Sequence, residues 1–159
     1  MKYLGMIGAV TVIVSGAYVA HTMNTAAKRR LRQTEAFISL IRFIRSQIEC
    51  FALPLTWALG RVPEEIYAGC GYHLPSPPLS GESLILECEI ADDVTRDCIE
   101  SFFYEVGKGY REQQLALCDH TVARLEERRA DMASRLPIRI KVNSALSLAG
   151  AAAVVILLI

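Results

Sequence analysis

Charge is missing from both ends of this chain of 159 residues. No Asp, Glu, Lys or Arg stands between Tyr3 and Ala27, and none between Val142 and Ile159. Every acidic residue, and every basic one except Lys2, falls between Lys28 and Lys141, so the formal net charge of zero averages three unlike segments. Also absent is any C-x-x-C pair. The five cysteines (Cys50, Cys70, Cys88, Cys98, Cys118) are an odd number and a poor disulfide framework, and they suit a reducing compartment. There is no G-x-x-x-x-G-K-[ST] loop and no G-x-G-x-x-G turn, which leaves nucleotide binding without its phosphate cradle. Basic residues are not interleaved with aromatics, which argues against RNA or DNA as a partner. Nothing alternates convincingly at period two, so a β-sheet is not expected.

What the ends do contain is apolar. The run from Tyr3 to Met23 is 21 residues of apolar and small side chains. As a helix it is roughly 30 Å long, the thickness of a hydrocarbon core. It places a first transmembrane helix at residues 3–25. A second is expected at residues 140–159, where the uncharged stretch of 18 residues ends in Val-Val-Ile-Leu-Leu-Ile. Helix is forced on both, because an unpaired backbone amide in lipid costs several kcal/mol. The first run exceeds the h-region of a signal peptide, and no A-x-A site closes it. Basic clusters flank the inner ends: Lys28, Arg29, Arg30 and Arg32 after the first run, then Arg128, Arg129, Arg135, Arg139 and Lys141 before the second. Such clusters resist translocation, so the middle of the chain is expected to be cytoplasmic. Small residues recur in both runs (Gly5, Gly8, Ser15, Gly16 and Ala17; Ala145, Ala149, Gly150 and Ala153). They fit either ordinary membrane composition or a close helix–helix contact.

Residues 28–136 read as a helical domain, with two long amphipathic helices at its ends. In the first, Leu31, Phe37, Ile38, Ile41, Ile44, Ile48 and Phe51 form one stripe at helical spacing. Leu53-Pro54 interrupts it, and Pro54 can open a short helix over residues 55–59 that includes Trp57. Pro63-Glu64-Glu65 looks like another helix start, with acids at its positive end. The prolines and glycines between residues 69 and 82 indicate a loop. Residues 83–107 offer a helix broken near Ala91, with Asp92 or Asp93 capping its second half and Gly107-Lys108-Gly109 ending it. The second long helix spans residues 110–136 on a stripe of Tyr110, Gln114, Leu117, Cys118, Thr121, Leu125, Met132 and Leu136, and Pro137 separates it from the membrane run or kinks the junction. The fold class expected is all-α: two terminal transmembrane helices flanking a cytoplasmic helical bundle with two long antiparallel amphipathic helices.

The charges divide accordingly. Basic residues gather beside the membrane, while Glu82, Glu87, Glu89, Asp92, Asp93, Asp97, Glu100 and Glu105 have only Arg96 among them. That acidic tip is either a solvated helix face or a docking surface for a basic partner. Candidates for chemistry are few. His21 has no acidic neighbour in sequence, and Cys70 with His73 and Cys118 with His120 match no standard zinc spacing. No catalytic residue, metal ligand or cofactor site is assigned, and the chain reads as a scaffold rather than an enzyme.

One resemblance rests on particular residues. Arg30-Leu31-Arg32-Gln33 leads an amphipathic helix into Ala52-Leu53-Pro54-Leu55-Thr56-Trp57-Ala58-Leu59. Further on, Phe102-Phe103-Tyr104-Glu105-Val106-Gly107-Lys108-Gly109-Tyr110-Arg111-Glu112-Gln113-Gln114 forms a turn that opens the second long helix. With the terminal spans, these stretches resemble the stage III sporulation protein AB family of endospore-forming bacteria over most of residues 1–62 and 102–159. Where that family carries Asp after the glycine turn, this chain has Tyr110, so the capping role is lost or passes to another group. Residues 70–95 do not resemble the family's middle helices. The resemblance implies a non-enzymatic platform subunit of a secretion-like sporulation complex, in the mother-cell membrane facing the forespore. It also implies similarity to the platform proteins of type II secretion and type IV pilus machines. The implied partners are the complex's hexameric ATPase, other small membrane subunits, the lipid bilayer and further copies of the chain. Contacts are expected at Arg111, Glu112 and Gln114 near the turn and at Asp92, Asp93 and Asp97 in the acidic segment. The competing expectation is a self-associating membrane adaptor without a secretion role.

Overall fold

A computed structural model of the chain describes residues 2–51 and 54–158, and among these the side chains of 2–10, 12, 13, 148 and 151–158 are not described. All regular elements among the described residues are helices: α1 (Lys2–Phe51), α2 (Leu55–Leu59), α3 (Glu64–Cys70), α4 (Gly81–Glu87), α5 (Asp93–Glu105) and α6 (Arg111–Leu158). The chain forms two compact units: unit 1 is Met1–Arg29 with Met132–Ile159, and unit 2 is Arg30–Asp131.

In unit 2 the core follows from the helical stripe of α1. Phe37, Leu40, Ile41 and Ile44 are wholly buried, and Ile38 and Ile48 nearly so. Each such side chain contributes about 1.5–3 kcal/mol by leaving water. From α6, Cys118, Thr121 and Leu125 meet this stripe at spacings of three and four. Ion pairs fix the direction. Glu35 pairs with Arg129 at 2.8 Å, Arg42 with Glu126, and Arg45 with Asp119 through two bonds of 2.6 and 3.2 Å. Partners descend along α6 as positions rise along α1, so the two segments are antiparallel, as expected. The stripe on α6 starts later than expected, since Tyr110 is 84% exposed.

The short helices complete the core. Pro54 precedes α2 and Pro63 precedes α3, each with the extended backbone that proline favours. Trp57 lies outside the core, 63% exposed, and Ala58 and Leu59 are the residues of α2 that bury. Tyr67 ties α3 to α2 by donating to the Leu59 carbonyl at 2.6 Å. The loop expected at residues 69–82 is irregular over 71–80. Gly71 ends α3 at φ +91, where a side chain would be strained, and Ser80 starts α4 with a reciprocal box in which Ser80 and Ser83 each bond the other's amide at 3.1 Å. The break expected near Ala91 separates α4 from α5, and Asp92 is the cap.

Gly81 marks a close approach between α4 and α5. A β-carbon there would collide with the Phe103 side chain, standing 2.7 Å from its Cβ. Gly81→Ala is therefore expected to destabilise unit 2 by about 1–3 kcal/mol, although Ala favours helix. Denaturant titration of the variant beside Gly81→Ala/Phe103→Leu checks this, since the second change should restore part of the loss.

Unit 1 leaves large apolar side chains outside its seam. Among the described side chains the covered positions on α1 are Gly16, Ala20, Asn24 and Ala27, and on α6 they are Met132, Leu136, Ile140, Asn143 and Ser147. Both sets repeat every three or four residues. At the seam, Asn143 Nδ2 donates to Asn24 Oδ1 at 3.1 Å. Outward stand Val14, Tyr18, Val19 and Met23 with Ile138, Val142 and Leu146, each more than half exposed. Of the small residues singled out in sequence, Gly16 lies half-buried in the seam. Ser15, Ala17, Ala145, Ala149 and Gly150 are exposed, and Gly5, Gly8 and Ala153 fall outside the described side chains.

Pro137 does not end the second long helix, because α6 runs through it. Position 137 and Ala133 one turn earlier are both exposed, so the carbonyl that loses its amide partner can tilt outward instead of breaking the helix. Among the described residues no helix is long and apolar enough to cross a membrane. The spans expected at 3–25 and 140–159 lie partly outside the described side chains.

Candidate functional site

A buried polar cluster sets the position of α5. Gln33, 4% exposed, donates through Nε2 to the Cys70 carbonyl at 2.8 Å and the Glu89 carbonyl at 2.9 Å, and its Oε1 accepts from the Ala91 amide at 3.1 Å. One side chain thus holds the end of α3 and the segment that leads into α5. Next to Gln33 on α1, the hydroxyl of Thr34 lies 3.0 Å from that of Thr95, and the Thr95 hydroxyl donates to Asp92 Oδ2 at 2.9 Å. Asp92 also accepts from the Thr95 amide at 3.0 Å, the side-chain cap that α5 needs. Arg128 of α6 closes the chain with a two-bond clasp, Nη2 to Oδ1 at 2.6 Å and Nε to Oδ2 at 3.1 Å. Beside this guanidinium the Asp92 carboxyl is held down at about 2, with the Thr95 bonds adding to the effect and burial opposing it.

Asp92 is therefore an internal residue, 6% exposed, and is not presented to a partner. The physical reason is the N-cap geometry, which turns its carboxylate back over the first turn of α5 and toward Arg128. Asp93 and Asp97 are exposed, as is Glu100, and Arg96 between them donates to the Ile90 carbonyl at 2.8 Å. The outer side of α5 carries acids and two exposed apolar residues, Val94 and Tyr104, and α4 adds exposed Glu82, Leu86 and Glu87.

At the α5–α6 turn the three expected contact residues differ in availability. Arg111 bonds the carbonyls of Ile48, at 3.3 Å, and Glu49, so its cation sits at the negative end of α1. Gln114 donates to the Gly109 carbonyl at 2.7 Å. Glu112 is exposed. The Tyr110 side chain offers no acceptor to the first-turn amides of α6, and Gln113 supplies the other half of a capping box, its Oε1 accepting from the Tyr110 amide at 3.2 Å. Lys108 lies over the Tyr104 ring, 3.4 Å from its centre. Arg111, Glu112 and Gln114 thus share one turn, while Asp93 and Asp97 lie together on α5.

Cys70, Cys88, Cys98 and Cys118 are buried and only Cys50 is exposed. Burial pushes the thiols up, Cys88 and Cys118 to about 11 and Cys70 and Cys98 in the same direction, so little thiolate forms near neutrality. His73 and His120 are exposed, and among the described residues no three His, Cys, Asp or Glu side chains converge to hold a metal ion. Gln33 and Thr34 escaped the sequence reading, although they sit one turn before Phe37 and Ile38 on the same stripe.

None of the known families, curated proteins or solved structures compared with the chain matches it.

Proposed function

We propose that the chain is a membrane-anchored, non-enzymatic scaffold of a secretion-like sporulation complex. In this reading residues 3–25 and 140–159 cross the mother-cell membrane, and the helical domain lies on the cytoplasmic side. The domain offers its α5 face, with Asp93 and Asp97, and its α5–α6 turn, with Glu112, to the hexameric ATPase and other membrane subunits.

The observation that carries the reading is the set of large apolar side chains that unit 1 turns outward. Among the described side chains the seam on α1 holds only small and polar residues, Gly16, Ala20, Asn24 and Ala27, facing Asn143 and Ser147 beside Leu136 and Ile140 of α6. Val14, Tyr18, Val19, Met23, Ile138, Val142 and Leu146 face outward. In water that arrangement exposes what should be hidden; in lipid it is the favourable one, because small residues allow close helix approach and apolar side chains meet acyl chains. The raised, buried thiols support a non-enzymatic role. The stage III sporulation protein AB resemblance supplies the complex and its ATPase.

Cys50 provides the test, because the other four cysteines are buried. A membrane-impermeant maleimide should leave the protein unlabelled in intact cells and label Cys50 after permeabilisation, with Cys50→Ala unlabelled in both. Labelling in intact cells would reverse the orientation and remove the docking to a cytosolic motor.

A second reading, a self-associating adaptor, is favoured by Ala145 and Ala149, which lie one turn apart and exposed outside the seam. Ala145→Leu/Ala149→Leu should then abolish oligomers seen by cross-linking in membranes. Under the scaffold reading, retention of the ATPase is the property that matters.

A further inference from the structure

We infer that Lys28, Arg139 and Lys141 form a cationic collar that binds the phosphates of anionic phospholipids. The inference rests on the membrane-anchored reading above and deepens it by naming a ligand and its residues.

It starts from how the chain neutralises its cations. In unit 2 four arginines of the two long helices face carboxylates: Arg42 with Glu126, Arg45 with Asp119, Arg128 with Asp92, Arg129 with Glu35. Unit 1 contains Lys2, Lys28, Arg29, Arg135, Arg139 and Lys141 and not one Asp or Glu. Lys28, Arg139 and Lys141 are exposed, and among the described residues none of them is held in an ion pair. No carboxylate of unit 1 neutralises them, so anions from outside the chain gain at each.

Their position says which anion. Lys28 follows Asn24 by one turn on α1, and Arg139 precedes Asn143 by one turn on α6, so both flank the hydrogen-bonded pair. On the other side of that pair the chain is uncharged over residues 3–23 and 144–159. The cations therefore stand where the apolar rows begin, beside the exposed Met23, Ile138 and Val142. A phosphate with acyl chains attached satisfies both features, the charge at the rim and the apolar rows next to it. A free phosphate satisfies only the first. Clusters of this kind next to a membrane helix attract anionic headgroups, at roughly fivefold in affinity for each cation.

The test uses the full chain in mild detergent, with bound lipid read by native mass spectrometry. Phosphatidylglycerol should be retained about tenfold or more over phosphatidylcholine. Lys28→Gln/Arg139→Gln/Lys141→Gln should bring the two lipids close to equality, whereas Lys28→Arg/Lys141→Arg should keep the preference. Inorganic phosphate should not displace the lipid at matched concentration; if it does, the site serves free phosphate and the inference falls. Equal retention of both lipids by the unaltered chain also overturns it. Resistance to carbonate extraction tests the anchoring separately: if the chain is extracted, the membrane reading fails, and if it is retained with equal lipid binding, only the phosphate site fails.

Discussion

Replacing Gln33 with Leu is expected to destabilise the helical domain by about 3–5 kcal/mol, read from guanidinium titration at neutral pH. Leucine fills nearly the same space and suits the stripe of α1 better, so hydrophobicity alone favours the change. The hydrogen bonds oppose it. Two carbonyls, of Cys70 and Glu89, and the Ala91 amide lose their partner in a place where Gln33 is only 4% exposed. Each buried group left unpaired costs roughly 1–3 kcal/mol, so the polar loss decides the sign. Glutamate should be worse than leucine, because an ionised carboxylate would face two carbonyl oxygens with no proton to give. Faster exchange of the Ala91 amide should accompany the loss, and a Leu variant within about 1 kcal/mol of the parent would show that the clamp does not hold the entry to α5.

Much of this architecture can be read from spacing. The apolar residues of α1 recur with helical period from Phe37 to Ile48 and bury as a set. Prolines 54 and 63 mark the two short helices, because each supplies the backbone angle that a helix start needs. Asp92 was legible as a cap. Its burial was not, because the partner that draws it inward is Arg128, on a helix 36 residues away in sequence. Gln33 and Thr34 stayed hidden for a related reason. A polar residue on an apolar stripe marks either its edge or a buried bond, and only the packed partners distinguish the two. Tyr110 misled through its chemistry: as an aromatic on the α6 heptad it should bury, but it precedes the first turn, where Gln113 needs its amide. In unit 1 the small residues were legible as a class. Which of them face inward depends on the register set at Asn24 and Asn143, and a run of uncharged residues does not encode that pairing.

Replacing Arg128 with Met should lower the stability of the same domain by about 3 kcal/mol at pH 7, because it leaves the Asp92 carboxylate buried without its cation. The methionine keeps the length of the aliphatic stem, so lost charge rather than lost packing dominates. The pH dependence separates this cause from a general weakening. In the parent, Asp92 titrates at about 2 instead of its ordinary 3.8. Because the folded form is the stronger acid, the contribution is fully present above the ordinary value and disappears as pH falls through about 2. Its size is about 2 kcal/mol, from a shift of nearly two pH units. Without Arg128, burial is left to push the carboxyl up, opposed only by the two Thr95 bonds. The variant should therefore lose little between pH 5 and pH 2.5, or even gain, while the parent declines. Adding Asp92→Asn to Arg128→Met should recover part of the stability at neutral pH, because Asn still caps α5 by accepting from the Thr95 amide and carries no charge to leave unpaired. If the double variant proves as unstable as the two single changes added together, the pair is not coupled, and the clasp between α5 and α6 would have to be held by packing alone.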